Sequence, residues 1–186
     1  MRIQSFVGTV FAIAIFSLAA CGGDDDGDSK LCESYCTSIM DNCTAANQQF
    51  SSMAQCMTSC ATYPVGDPAD TSGNTLGCRT YHAGTPAMTA PDMHCRHAGP
   101  GGNGACGDDC AGFCTLVLGS CTGDNAQYGG DMSTCMTACA GFSKTATYSS
   151  SQTMGDTFAC RLYHATVASE RADHCPHTAA VSSACN

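Results

Sequence analysis

All six histidines of the chain fall in two short patterns, and each pattern occurs twice. His82 closes the run Cys78-Arg79-Thr80-Tyr81-His82, and His94 and His97 bracket Cys95. His164 closes Cys160-Arg161-Leu162-Tyr163-His164, and His174 and His177 bracket Cys175. Neutral imidazole is a good ligand for zinc and for copper. Three rings on one ion with an open fourth position also form the donor set with which zinc activates water. The residue types therefore offer one tris-histidine metal site per copy (His82, His94, His97 and His164, His174, His177), and more remotely a zinc hydrolase. His82 stands one turn after Cys78 on the same helix face, so a Cys95–Cys78 bridge would bring the three rings together. The opposing reading is structural: a duplication repeats whatever packing requires, and an imidazole can fill a core while hydrogen-bonding. On that reading Arg79 and Arg161 bond carbonyls or Asp side chains, and Tyr81, Tyr163, Met57 and Met136 are core residues.

Sharper chemistries are excluded by what is missing. No C-x2-C occurs, which removes c-type haem attachment, zinc ribbons and thioredoxin-like redox motifs. The glycine run 99–104 lacks the Lys and Ser/Thr of a phosphate-binding loop, and no Ser sits in a G-x-S-x-G elbow. The two glutamates, Glu33 and Glu170, do not recur between the copies, so a duplicated glutamate acid–base pair has no support. The expectation is a protein that is not an enzyme. Seven bases against 16 acids, a net charge of −9, also leave no basic face for nucleic acid.

The residues that must position the histidines are cysteines. The chain has 17 among 186 residues, about 9%, a level typical of disulfide scaffolds in secreted chains. Sixteen divide into two sets of eight with matching spacing: Cys32, Cys36, Cys43, Cys56, Cys60, Cys78, Cys95 and Cys106, then Cys110, Cys114, Cys121, Cys135, Cys139, Cys160, Cys175 and Cys185. Partners lie 78 to 82 residues apart, and the residues between them agree as well. CESYCTSIMDNCTAANQQF aligns without a gap to CAGFCTLVLGSCTGDNAQY, and GNTLGCRTYHA aligns to GDTFACRLYHA. This is an internal duplication. Each copy is a module too small to rely on a core alone, so disulfides are the expected staple.

Within a module, Cys36, Ile39, Met40 and Cys43 follow the i, i+3, i+4, i+7 stripe of an amphipathic helix, repeated by Cys114, Val117, Leu118 and Cys121. Ser52 and Asp131 are suited to cap a second helix that carries its own Cys pair four apart. A third helix is expected from about Asn74-Thr75 and Asp156-Thr157 through the C-R-x-Y-H run. Pro86, Pro91 and Pro100 should break copy one afterwards, leaving a loop fixed by Cys95 and Cys106. The fold class is thus mainly α, a tandem duplication of a small disulfide-stapled module of about three short helices plus loop. Two helices each bearing C-x3-C resemble the twin C-x3-C helical hairpins, in which two bridges pin antiparallel helices. The longer loop here holds an additional Cys, so pairing stays open among the 105 connectivities that eight cysteines allow.

The N-terminus reads as an address. Met1-Arg2 and the apolar run Phe6–Leu18 form a secretory signal, shorter than the ~20 residues of a membrane span. Leu18-Ala19-Ala20-Cys21 resembles the lipobox of bacterial lipoproteins. That resemblance implies cleavage before Cys21 and its lipidation with diacylglycerol and an N-acyl chain such as palmitate, a stable membrane anchor. Gly22 after the Cys favours the outer membrane in that family. The implied layout is a signal peptide (1–20), a lipidated Cys with an Asp/Gly-rich tether (21–31), module one (32–106) and module two (107–186). Beyond the inner membrane an even set of cysteines oxidises to disulfides. The leading expectation is therefore a lipid-anchored, cysteine-rich protein of the bacterial cell envelope with a binding or structural role and an unidentified protein or metal-ion partner. The alternative is an envelope protein that binds copper or zinc.

Overall fold

A computed structural model of the chain describes residues 25–186, and Cys21 with the signal and lipobox segment lies outside them. Among the described residues there are helices and turns and no strand. Module one contributes α1 (Asp25–Asn42), α2 (Met53–Cys60), α3 (Leu76–Ala83), α4 (Thr85–Thr89) and α5 (Pro91–Ala98). Module two contributes α6 (Asp109–Ser120), α7 (Met132–Ala140) and α8 (Phe158–Ala168), followed by a 3-10 stretch over Ala172–Thr178.

The helix starts are written in the sequence. Ser52 accepts from the Gln55 N–H at 3.0 Å and Asp131 from the Thr134 N–H at 2.8 Å, capping α2 and α7. Thr75 and Thr157 accept from Cys78 and Cys160 and start the two helices that carry His82 and His164. Each cap satisfies a backbone donor that the first helical turn leaves open, worth about 1 kcal/mol.

All sixteen cysteines among the described residues are paired, with the same connectivity in both modules. Cys32–Cys60 and Cys36–Cys56 clamp α1 against α2, and Cys110–Cys139 and Cys114–Cys135 clamp α6 against α7. First pairs with last and second with third, so both hairpins carry nested crosslinks between their two C-x3-C helices. Cys43–Cys95 and Cys121–Cys175 tie the ends of α1 and α6 to the segments holding the H-x2-H histidines. Cys78–Cys106 and Cys160–Cys185 tie α3 and α8 to the module ends. A bridge between Cys95 and Cys78 is therefore excluded: each is committed elsewhere.

Three further expectations are corrected. Residues 25–31, read as tether, are the first turns of α1, with exposed side chains from Gly27 to Leu31. Pro86 and Pro91 start α4 and α5 instead of leaving a loop, because proline fits the first helical turn, where its missing N–H costs nothing. Tyr81 is 48% exposed and not a core residue. Arg79 and Arg161 behave as expected. Each guanidinium is buried, lies 4.1 or 4.3 Å over an aromatic ring (Tyr63, Phe142), and donates to backbone carbonyls including those of Pro100 and Ala180.

The modules share one core. Buried Tyr35, Ile39 and Phe50 belong to the same hydrophobic cluster as Phe113, Leu116 and Leu162. Across the junction, the Gln55 side chain donates to Thr166 at 3.0 Å, Tyr148 donates its hydroxyl to the Gln49 carbonyl at 2.9 Å, and Asn74 donates to Thr115 at 2.9 Å.

Candidate metal centre

In each module a helix and a crosslinked segment bring three imidazoles together. In module one, α3 presents His82 from its last turn and α5 presents His94 and His97 one turn apart. Cys95, between the latter two, is bonded to Cys43 at the end of α1, and this holds α5 against the rest of the module. The ring centroids lie 4.9 to 5.4 Å apart. In module two, α8 presents His164, and the 3-10 stretch held by Cys121–Cys175 presents His174 and His177, with centroids 4.6 to 5.2 Å apart. In both modules the three ligand nitrogens lie within 4.8 Å of one another. The convergence expected for all six histidines is present, reached through a crosslink to the first helix of each module.

The hydrogen-bond pattern fixes which nitrogen faces the centre. His82 Nε2 lies 3.2 Å from the Thr71 carbonyl oxygen, which can only accept, so Nε2 carries the proton and Nδ1 presents its lone pair. That lone pair points at His94 Nδ1, 2.8 Å away, which must donate to it. His97 Nδ1 is buried with no hydrogen-bond partner. In module two, His164 Nδ1 is 2.8 Å from His174 Nδ1 and 3.3 Å from His177 Nδ1. His164 Nε2 makes no hydrogen bond within bonding geometry, although the Thr153 backbone lies near enough to raise the affinity of that ring for a proton.

Two nitrogens bound tetrahedrally to one zinc at about 2.0–2.1 Å lie about 3.3 Å apart. The His164–His177 spacing of 3.3 Å already meets that figure, and the two 2.8 Å pairs need to open by about half an ångström. Carbonyl-anchored Nε2–H groups that leave Nδ1 free are the outer partners that orient metal-binding histidines. Cys78 and Cys106 lie near His82, and Cys160 and Cys185 near His164, but these sulfurs are spent in disulfides and cannot ligate as thiolates. The donor set is therefore all nitrogen.

Burial disfavours the charged form of four of these rings. Desolvation lowers the pKa of His82 and His97, with neighbouring imidazoles adding to it, and desolvation also lowers that of His174. For His164 desolvation, then His177 and His174, push it down to about 4. A ring already neutral can offer a lone pair to a cation, by way of a shift of the His94 proton from Nδ1 to Nε2 in module one.

The Thr71 carbonyl is a participant that side-chain reasoning missed, and the Thr153 backbone takes the matching place in module two without a bond to His164 Nε2. Their only sequence trace is the repeated T-x-G-x-T that precedes each C-R-x-Y-H run. Gly73 and Gly155 in those runs adopt φ of +91° and +93°, a left-handed conformation that glycine adopts freely and that turns the chain just before the helix cap.

Comparison with known proteins places the module in context. Residues 24–109 match the family model described as BfoA family C-terminal domain. That stretch contains all eight cysteines and all three histidines of module one. The chain is 35% identical over 80 residues to "Bifonsecin B biosynthesis cluster protein A" of Aspergillus brasiliensis, which is 42% of this chain and 27% of that protein. It is 34% identical over 80 residues to "Aurasperone B biosynthesis cluster protein A" of Aspergillus niger, covering 42% and 26%. The chain thus spans about a quarter of the length of these curated relatives. No solved structure matches it significantly.

These similarities point to a fungal protein family and not to a bacterial lipoprotein. The lipobox reading of Leu18-Ala19-Ala20-Cys21, the lipidation of Cys21, and the outer-membrane and bacterial-envelope placement built on it are overturned. The physical reason is how little the motif demands. Leu followed by small residues ends many secretory signals, and in a chain this rich in cysteine the next residue completes the pattern cheaply.

Proposed function

We propose that this chain is a metal-binding protein of an oxidising compartment, with one tris-histidine site for zinc or copper in each of its two disulfide-stapled modules. The observation that carries the reading is the duplicated convergence of three imidazoles, with nitrogens within 4.8 Å in both copies. Packing alone does not require His97 Nδ1 to be buried without a partner, whereas a cation at the centre of the three rings would supply one. With every described cysteine oxidised, the soft thiolate donors that favour copper(I) are missing, and imidazoles suit zinc and copper(II). His82, His94 and His97 would hold one ion, and His164, His174 and His177 the other.

A bound zinc with an open fourth position would supply a water of lowered pKa. The reading is nevertheless binding and not catalysis: the sequence carries no catalytic motif, and neither the cleft of about 290 Å³ nor that of about 440 Å³ offers a substrate space beside the histidines. Eight crosslinks and the secretory character of residues 1–20 support a compartment where thiols oxidise.

The test is metal stoichiometry by native mass spectrometry on the disulfide-intact chain supplied with zinc or copper(II). Two ions per chain are expected, one after His94→Ala and none after His94→Ala with His174→Ala. A wild-type chain that retains no metal, or a His94→Ala variant that still retains two ions, would overturn the proposal.

A further inference from the structure

A second candidate site lies where the modules meet, with no histidine in its lining. A cleft of about 290 Å³, close to the lower size of small-molecule sites, is lined among others by Gln49, Arg96, Asn103, Asp109, Lys144 and Phe158. Its charged residues are the ones that break the internal repeat. Arg96 in H-C-R-H stands where the second copy has Pro176. Asp109, just before Cys110, stands where the first copy has Leu31. Lys144 corresponds to Val65, a register fixed because Leu76 N–H bonds the Pro64 carbonyl and Phe158 N–H bonds the Ser143 carbonyl, each at 2.8 Å. Residues that serve the module fold are duplicated. These three are not, yet the fold collects them from both modules around one cavity.

The basic residues sharpen the point. Among the described residues, Arg79 and Arg161 are buried on carbonyls and aromatic rings, and Arg171 pairs with Asp173 at 2.9 Å. Lys30 lies exposed on α1. The remaining two, Arg96 and Lys144, both line the cleft of a chain whose net charge is −9. Arg96 uses only Nε, on the Asp92 carbonyl at 2.6 Å, so its terminal nitrogens have no protein acceptor among the described residues. Lys144 Nζ sits 5.4 Å over the Phe158 ring and 3.7 Å from Asp109 Oδ2, a distance longer than a hydrogen bond. Asp109 is half-buried, and burial raises its carboxyl pKa against the opposing pull of Lys144, so it is an acceptor short of solvent.

We propose that this cleft binds a small hydroxylated organic acid, its carboxylate held by Arg96 and Lys144 and its hydroxyl donating to Asp109. A planar guanidinium with free terminal N–H groups matches a carboxylate bidentately. The ammonium adds a second point charge, and the lone carboxylate selects against ligands with no donor. Gln49 and Asn103 supply neutral polar walls. This site does not depend on the metal reading.

L-malate and tartrate are the probes, titrated calorimetrically into the full chain with and without zinc, with malamide as the uncharged counterpart of malate. Saturable binding of a hydroxy acid is expected in both metal states, together with a loss of affinity of about tenfold or more for Arg96→Ala. Lys144→Gln should weaken it several-fold, and because that side chain is half-exposed its removal leaves folding intact. Unaltered near-ultraviolet dichroism separates a lost contact from a lost fold. Equal binding of malate and malamide, undiminished affinity in folded Arg96→Ala, or no binding of either acid up to about 10 mM would overturn the proposal.

Discussion

At the scale of single residues, the imidazoles of His82 and His164 stand in the same place in two modules but in unequal surroundings. His82 Nε2 donates to the Thr71 carbonyl at 3.2 Å, whereas His164 Nε2 is buried without a bond, and desolvation drives the His164 pKa down to about 4. The sign of the effect on folding follows from where the proton goes. Between the ordinary 6.5 and about 4 the unfolded chain binds a proton at this position that the folded chain refuses, so stability falls as pH drops through that window. Below about 4 both states are protonated and this contribution levels off. His82, His97 and His174 are shifted in the same direction. Metal-free protein should therefore keep a steady Tm above pH 6.5 and lose it progressively toward pH 4, and His164→Asn should flatten that slope. Identical slopes in the two proteins would contradict it. The sequence made the histidines conspicuous, since six rings in two repeated patterns are easily read. It hid the tautomer of His82, because the group that sets it is the Thr71 main-chain carbonyl, an atom that every residue type supplies alike.

At the scale of elements, the crosslinks decide what the histidines can reach. Cys43–Cys95 closes a separation of 52 residues, the longest in module one, and pins α5 to the end of α1. Constraining an unfolded loop of that size is worth about 4 kcal/mol in the chain-entropy account. It also fixes His94 and His97 on either side of the anchored residue. The double variant Cys43→Ala/Cys95→Ala should lose both that stability and the first metal ion while module two keeps its own. Denaturant unfolding and metal stoichiometry measure the two losses, and a variant that still holds two ions would show that the crosslink does not organise the site. Helix starts were legible at Ser52, Thr75, Asp131 and Thr157, where a short polar side chain precedes an apolar stripe. Helices α4 and α5 were not, because a proline inside an apparent loop and a proline at the first turn of a helix look alike until the following residues are seen to pack. The choice of partner for Cys95 was equally closed to inspection. It depends on where the end of α1 arrives in space, and spacing along the chain carries no such information.

At the scale of the whole molecule, duplication explains the modules and departures from duplication explain their union. Eight cysteines and three histidines recur with conserved pairing, so each copy has the parts of a stapled unit. What joins the copies is specific to one or the other: Gln55 with Thr166, Tyr148 with the Gln49 carbonyl, and α6 against the glycine run after α5. The boundary at Cys106–Cys110 was readable as a short joint, but a joint alone does not say whether its two sides touch. Gly112 on α6 shows how closely they do. A Cβ there would stand 2.3 Å from the Pro100 carbonyl oxygen and 2.8 Å from that of Gly101, both backbone atoms with little room to retreat. Gly112→Ala should therefore push α6 off the first module at a cost of about 1–3 kcal/mol, typical of an overpacked contact. Because Gly101 and Asp109 both line the cleft, the same displacement should widen it and weaken organic-acid binding, while the metal sites, internal to each module, stay loaded. Gly141→Ala is the matched control, since its Cβ would meet only the Ala138 carbonyl at 3.4 Å, an ordinary contact. Thermal unfolding of the two variants beside the wild type distinguishes modules that fold against each other from modules that merely follow one another: equal Tm for Gly112→Ala and Gly141→Ala would mean the junction bears no stability.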